Sequence, residues 1–238
     1  MPLFSIRDLT AGYGKIAIVQ NFSMDVGKNE LVTIIGPNGS GKSTVFKAVF
    51  GLAKIMSGNI FFEEQDVTNS RGDILVRMGI GYVPQLRNVF TTMTIAENLE
   101  LGYLPNKQSL EQMLEKVYNL FPFLRERAGE KAGVLSGGQR QILALAKTMM
   151  SDPKLLILDE PTAGLSPMAA ASMIQYIKTL RKEGVSVIMI EQNVRRALQV
   201  ADRVYVLASG RKVFEGSPET LAKNEELATI YLGLGGSK

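Results

Sequence analysis

Gly36-Pro37-Asn38-Gly39-Ser40-Gly41-Lys42-Ser43-Thr44 decides the reading of this chain. The stretch fits G-x4-G-K-[ST] and follows an apolar run, Leu31 to Ile35, that reads as a buried strand. Glycines at 36, 39 and 41, together with Asn38, let the backbone wrap a phosphate with its N–H groups pointing inward. In such a cradle Lys42 reaches the β- and γ-phosphates, and the hydroxyl of Ser43, followed by Thr44, is placed to ligate Mg²⁺. The helix expected next, carrying Val45, Phe46, Ala48 and Val49, points its positive end at the same anion. With Gly usage near 7%, chance gives the four fixed positions in roughly one chain in a hundred of this length. The strand before and the helix after lower that further.

At 238 residues there is room for one large domain, or for a core with an inserted lobe. Hydrophobic content of 45% and charged content of 21% fit a soluble globular protein. No apolar run approaches the roughly 18 residues a membrane span needs, and Met1 to Asp8 does not read as a secretory signal. The expectation is a cytoplasmic protein, held at a membrane only by a partner. With 0 cysteines and 0 histidines, disulfides, thiolate metal sites, imidazole ligands and histidine general bases are excluded. A net charge of +4 suits a nucleotide site but is no nucleic-acid footprint.

Outward from the phosphate loop, residues 3–9, 18–26, 30–35 and 59–63 read as strands, with Gly51 and Ser57-Gly58 bracketing a short connection. Tyr13, on a Gly-Tyr-Gly turn, either stacks on a purine base or packs locally on the surface. Residues 79–83 form a strand stopped by Pro84, which leaves Gln85 in a loop. Helical spacing over 94–101 and again over 110–124 predicts an inserted helical lobe, with Met113, Leu114, Val117, Leu120 and Phe121 as its core stripe. Leu135-Ser136-Gly137-Gly138-Gln139 opens a further helix. Leu155 to Asp159 is an apolar strand ending in acid, as in a central parallel strand. Ser166 caps a helix beginning at Pro167. Residues 185–190, 204–207 and 212–214 complete the strands, and Gly235 to Lys238 read as a loose end.

Asp159 and Glu160 are candidates for the second half of the site. Beside a phosphate loop two adjacent carboxylates divide the work: Asp159 orients Mg²⁺ or its waters, and Glu160 polarises an attacking water. The alternative is a surface pair flanking a helix.

With the phosphate loop, the Leu155–Glu160 strand and Leu135-Ser136-Gly137-Gly138-Gln139 in order, residues 3 to 216 resemble the ATP-binding subunit of an ABC (ATP-binding cassette) transporter. The resemblance implies an α/β P-loop NTPase core with a mixed, mainly parallel central sheet, an N-terminal antiparallel β subdomain and an inserted α-helical subdomain. It divides the single domain into a core with β subdomain at about 1–85 and 146–238 and a helical subdomain at about 86–145. It places Tyr13 on adenine, Gln85 in the Q-loop as a sensor of γ-phosphate and Mg²⁺, and Ser136, Gly137, Gly138 and Gln139 in the signature motif. Two such chains bind head to tail in the family, each signature closing the ATP site of the other. Two departures stand out. Where the family usually has His after Glu191, this chain has Gln192, whose amide can donate to the γ-phosphate but cannot change charge. Where it usually has Asp, this chain has Ser166.

Gln192, Phe121 to Arg127, Ala163 to Pro167 and Tyr231-Leu232-Gly233 resemble one of the two ATPases of LIV-type importers of branched-chain amino acids. Many of those read Pro-Glu-Gly-Arg where this chain has Pro84-Gln85-Leu86-Arg87. The implied partners are a second ATPase chain (a heterodimer, or else a homodimer), two polytopic permease subunits and, indirectly, a substrate-binding protein. The implied location is the cytoplasmic face of the inner or plasma membrane. Another amino acid or an amide such as urea remains open as cargo. A soluble ABC protein acting on nucleic acid or ribosomes is the rival class, disfavoured by a single cassette, a compact lobe and low charge.

Overall fold

The computed structural model describes residues 1–86, 88–105, 108–224 and 227. Arg87 and the terminal Tyr231-Leu232-Gly233 and Gly235 to Lys238 lie outside the described residues. In chain order the first elements are β1 (Phe4–Tyr13), β2 (Ile16–Val26), β3 (Leu31–Ile35), α1 (Lys42–Val49), β4 (Lys54–Phe62), β5 (Gln65–Asp66), α2 (Gly72–Met78) and β6 (Ile80–Val83). Then come α3 (Ile95–Glu100), α4 (Leu110–Leu120), α5 (Pro122–Glu126), a 3-10 turn (Ala132–Val134), α6 (Gly137–Met149), β7 (Leu155–Asp159) and α7 (Pro167–Lys182). The last are β8 (Ser186–Glu191), α8 (Val194–Leu198), β9 (Arg203–Ala208), β10 (Arg211–Gly216) and α9 (Pro218–Lys223). The chain divides into two compact units, 1–75 with 186–238, and 76–185.

The first unit holds an antiparallel sheet in the order β2-β1-β4-β5 and the strands β10-β9-β3-β8, in which β3 pairs parallel with β8 and β9 and β10 runs antiparallel to β9. Among the aliphatic side chains of its core, the rings of Phe4, Phe22, Phe46, Phe62 and Tyr205 are fully buried, and burying each such ring removes roughly 150–250 Å² from water. Residues 3–9 are more buried than a strand with one wet face, Ser5 included. β4 begins earlier than the sequence predicts, because Ser57-Gly58 forms not a turn but an irregularity within the strand, opposite a register shift in β1 between Arg7 and Thr10. Gly58 has φ 92° there, and a Cβ would come within 2.5 Å of the Arg7 carbonyl oxygen.

The second unit holds the parallel pair β6 and β7 with α3 to α7. Met113, Val117 and Phe121 form its buried stripe as expected, with Leu114 and Leu120 half-buried. The expected helix over 110–124 is two helices. Pro122 has no N–H to donate and its ring crowds the preceding turn, so α4 ends and α5 starts with Pro122 as its first residue. Phe121 sits at the break with φ −131°, and its ring packs 4.8 Å from that of Tyr176 on α7. Ser166 caps α7 as the sequence predicts, its hydroxyl accepting from the Ala169 N–H.

Candidate nucleotide site

In the first unit the phosphate loop leaves β3 between two parallel neighbours. Ile35 pairs with Glu191 on β8 and with Val206 on β9, so Gly36 and Gln192 follow directly from paired strand ends and Leu207, within β9, lies alongside. Gly36 passes close to β9: at φ 153° any Cβ would lie 2.0 Å from the Leu207 carbonyl oxygen. Gly39 at φ 76° and Gly41 at φ 100° complete a turn that L side chains rarely adopt. The turn between β9 and β10 braces the loop from below, Gly210 N–H donating to the Ser40 carbonyl at 3.0 Å and its own carbonyl accepting from Gln20 N–H at 2.8 Å. Lys42 is buried, and its Nζ donates to the carbonyls of Gly36 and Pro37, each at 2.9 Å. That clamp holds the ammonium inside the loop, where a phosphate would sit.

Two observations mark the loop as built for an anion. The N-cap of helix α1 is Gly41, which brings no side-chain cap to the helix's positive end. And the Ser40 hydroxyl, 2% exposed, has no hydrogen-bond partner. A buried hydroxyl without a partner costs about 1–3 kcal/mol, a cost that a phosphate oxygen would remove. Sequence reasoning passed over Ser40 because the motif leaves its position unspecified.

Gln192 lies exposed between β8 and α8, next to Asn193, whose side chain caps α8. Tyr13 ends β1 at a hairpin tip and is 46% exposed, its ring available as a platform. The same hairpin passes Gly41, with Val19 Cγ2 at 3.0 Å from where a Cβ would stand.

In the second unit the parallel pairing of Val83 with Leu158 brings Pro84-Gln85 and Asp159-Glu160 off the same strand ends. Asp159 is buried and accepts from the Tyr82 hydroxyl at 3.2 Å. Glu160 turns the chain in the left-handed region at φ 49° and accepts from the Gln85 side-chain amide at 2.9 Å. A non-glycine residue in that region stores about 1–2 kcal/mol of strain, and here it presents a carboxylate at a strand end.

Ser136 is the N-cap of α6. Its hydroxyl accepts from Gln139 N–H at 3.3 Å while the Gln139 side chain accepts from Ser136 N–H at 3.0 Å, a reciprocal capping box. Gly138 packs against α7, where a Cβ would lie 2.7 Å from that of Ala169. Among the described residues no three Asp, Glu, His or Cys side chains cluster as a metal site. A divalent ion held by this chain would therefore draw most of its coordination from phosphate oxygens and water, the usual habit of Mg²⁺.

No described helix is long and apolar enough to cross a membrane. Comparison with known proteins adds the following. Residues 19–163 match the family model described as ABC transporter. A Pseudomonas aeruginosa protein named high-affinity branched-chain amino acid transport ATP-binding protein BraG is 40% identical over 97% of this chain and 100% of its own length. An Archaeoglobus fulgidus protein named probable branched-chain amino acid transport ATP-binding protein LivF is 39% identical over 95% of this chain and 97% of that one. The lipopolysaccharide export system ATP-binding protein LptB of Haemophilus influenzae is 31% identical over 98% of both. Among solved structures, the ADP conformation of an ATP-binding cassette of an ABC transporter superposes with a TM-score of 0.85 at 28% identity, over 98% of this chain and 99% of that one.

Proposed function

Because this chain belongs to the ABC transporter family and is an ATPase that binds nucleotide, we propose that it powers an importer of branched-chain amino acids. The observation that supports this cargo is the 40% identity, over the whole length of the relative, to an ATP-binding protein named for that transport. The lipopolysaccharide-export relative supports the second reading, a different cargo for the same motor. Another amino acid or an amide such as urea belongs to that reading too.

In this proposal the loop from Gly36 to Thr44 holds the β- and γ-phosphates through backbone N–H groups, Lys42 and the Ser40 hydroxyl, and Tyr13 stacks on the adenine. Mg²⁺, held by Ser43, Asp159 and Gln85 with phosphate oxygens and water, would neutralise charge on the transferring phosphoryl group. Glu160 takes the proton of the attacking water. Gln192 donates a hydrogen bond to the γ-phosphate and keeps its neutral amide throughout. Ser136 and the N–H groups of Gly137, Gly138 and Gln139 close the nucleotide site of a second ATPase chain, so ATP holds the pair together and hydrolysis releases it. We place the chain at the cytoplasmic face of the membrane, with two polytopic permease subunits and, through them, a substrate-binding protein. The helical part, at about 86–145, is the subdomain that would meet the permease.

Co-purification from a membrane fraction tests this, with ATPase rates recorded for the chain alone and after adding its membrane subunits and second ATPase. Recovery with a polytopic protein, a rate raised by it, and uptake of leucine, isoleucine or valine into vesicles support the proposal. A chain that stays soluble and whose ATPase responds to nucleic acid or ribosomes overturns it.

A further inference from the structure

Within the second unit, the segment that leaves β6 holds the signature motif from both sides. Downstream, its backbone pairs with the chain that leads into the motif: Ile95 N–H donates to the Glu130 carbonyl, Ala132 N–H to that of Met93 and Gly133 N–H to that of Thr91, each at 2.9 Å. Thr94 and Lys131 form a β-bridge in the middle of this pairing. The last of these bonds lies 3 residues before Ser136.

Upstream, Asn88 reaches the body of α6. Its side-chain amide donates to Gln141 Oε1 at 2.7 Å and to the Pro84 carbonyl at 3.3 Å. The Pro84 carbonyl fixes which end of the Asn88 amide is nitrogen, since only a donor can face two acceptors. Gln141 stands 5 residues after Ser136, on a helix whose other buried side chains from Ile142 to Met149 are apolar. It is itself 8% exposed. Between the two anchors, fully buried Asn98 pins Phe90, accepting from its N–H at 2.8 Å and donating to its carbonyl at 2.9 Å. Residues 88–95 are thereby fastened on the motif's approach, on its helix and on α3. The same segment begins at Gln85, which donates to Glu160.

We propose that Asn88 and Gln141 are positioning residues for ATP hydrolysis: their hydrogen bond sets the stance of the signature helix relative to the Gln85–Glu160 corner. A structural pair would serve only to satisfy the buried amide of Gln141 and the half-buried amide of Asn88. A positioning pair does more, because α6 carries the groups that must meet the nucleotide of the other chain. The inference rests on the reading that the signature completes a partner's site.

The test is a double-mutant cycle in the full chain, Asn88→Leu, Gln141→Leu and both together, with the exchanged pair Asn88→Gln/Gln141→Asn as rescue. Steady-state ATPase is measured over a range of chain and ATP concentrations, and binding of a fluorescent ATP analogue is measured at high dilution. Each single substitution lowers kcat by about tenfold with analogue affinity within about twofold, the double is no worse than the worse single, and the exchange restores at least about half the rate. Single variants within twofold of wild type, additive losses, an exchange no better than the singles, or losses that track analogue affinity overturn the proposal. A wild-type rate per chain that is independent of chain concentration, both for the chain alone and with the second ATPase chain added, overturns the two-chain reading itself, and the proposal with it. A concentration-dependent wild type with an indifferent pair overturns only the proposal.

Discussion

Helix α1 and helix α6 begin in opposite ways. At α1 the cap residue is Gly41, in the left-handed region, and no side chain returns to the first turn. At α6 Ser136 and Gln139 cap one another in both directions. Both ends carry the positive pole of a helix dipole, yet they differ as anion sites. The first has no side-chain cap in its way and adds the buried, partnerless Ser40 hydroxyl. The second has already satisfied itself, so an arriving phosphate exchanges hydrogen bonds there and gains only the difference. Nucleotide affinity should therefore reside in the P-loop, and the signature should influence turnover far more than binding by a single chain.

The largest effect separates chemistry from both ends. Glu160→Gln keeps the hydrogen-bonding size of the side chain but removes the proposed proton acceptor, so turnover should fall by about a thousandfold while ATP binding persists. Surviving hydrolysis in a single-turnover assay would show the base lies elsewhere. Next comes Lys42→Ala, which removes the ammonium clamped between the Gly36 and Pro37 carbonyls. Equilibrium titration of ATP should give an affinity about a hundredfold weaker. Ser136→Ala should leave that titration unchanged and lower kcat about tenfold, since the hydroxyl caps α6 and, in the proposed two-chain arrangement, would face the other chain's nucleotide. If Ser136→Ala weakens single-chain ATP binding as much as Lys42→Ala does, the contrast between the two helix ends is wrong.

How far each end was legible follows from how local its causes are. The P-loop was readable because strand, glycines, lysine and helix are contiguous, and the positive-φ positions Gly39 and Gly41 demand glycine wherever such a turn occurs. The signature helix start was readable too, but its S-x-x-Q pattern also spells a capping box, and only the structure shows both arms made. The apolar spacing from Leu110 to Leu124 reads as one helix, and the helix breaks at Pro122, where proline chemistry requires. Ser57-Gly58 reads as a turn from composition, and becomes an irregularity inside β4 because β1 shifts register opposite it. The short exposed helix α2, with one fully buried residue, Leu75, offers too little periodicity to detect. Asn88 with Gln141 and Tyr82 with Asp159 are separated by 53 and 77 positions. No local pattern announces such contacts.

A smaller effect sharpens the account of Gln192. With 0 histidines in the chain, the ATPase rate should show no imidazole-like step between pH 6 and 8. Gln192→His should introduce one, with an apparent pKa near the usual value of about 6.5. A step already present in the unmodified chain would mean that another group near the site titrates in that range.

The smallest expected effect lies away from the nucleotide, in the first unit's core. Tyr205 is fully buried on β9, its hydroxyl accepting from Asp25 N–H at 3.1 Å and donating to Glu215 at 2.9 Å. Burial first, then the neighbouring Glu215 carboxylate, pushes its phenol from 10.0 up to about 12. Raised in the fold, this group contributes stability that is complete below pH 10, the unfolded value, and lost as pH rises through about 12. Tyr205→Phe should cost about 1 kcal/mol at neutral pH, because Lys212 and Arg203 still bind Glu215. In a melting experiment that is about 3 °C, with ATP affinity unchanged. The variant should also lose part of the steep alkaline fall in stability between pH 10 and 12 that the parent shows. Equal alkaline slopes in the two proteins would place the titrating phenol elsewhere, and a shift in ATP affinity would mean that the β9–β10 turn bracing Ser40 depends on this ring.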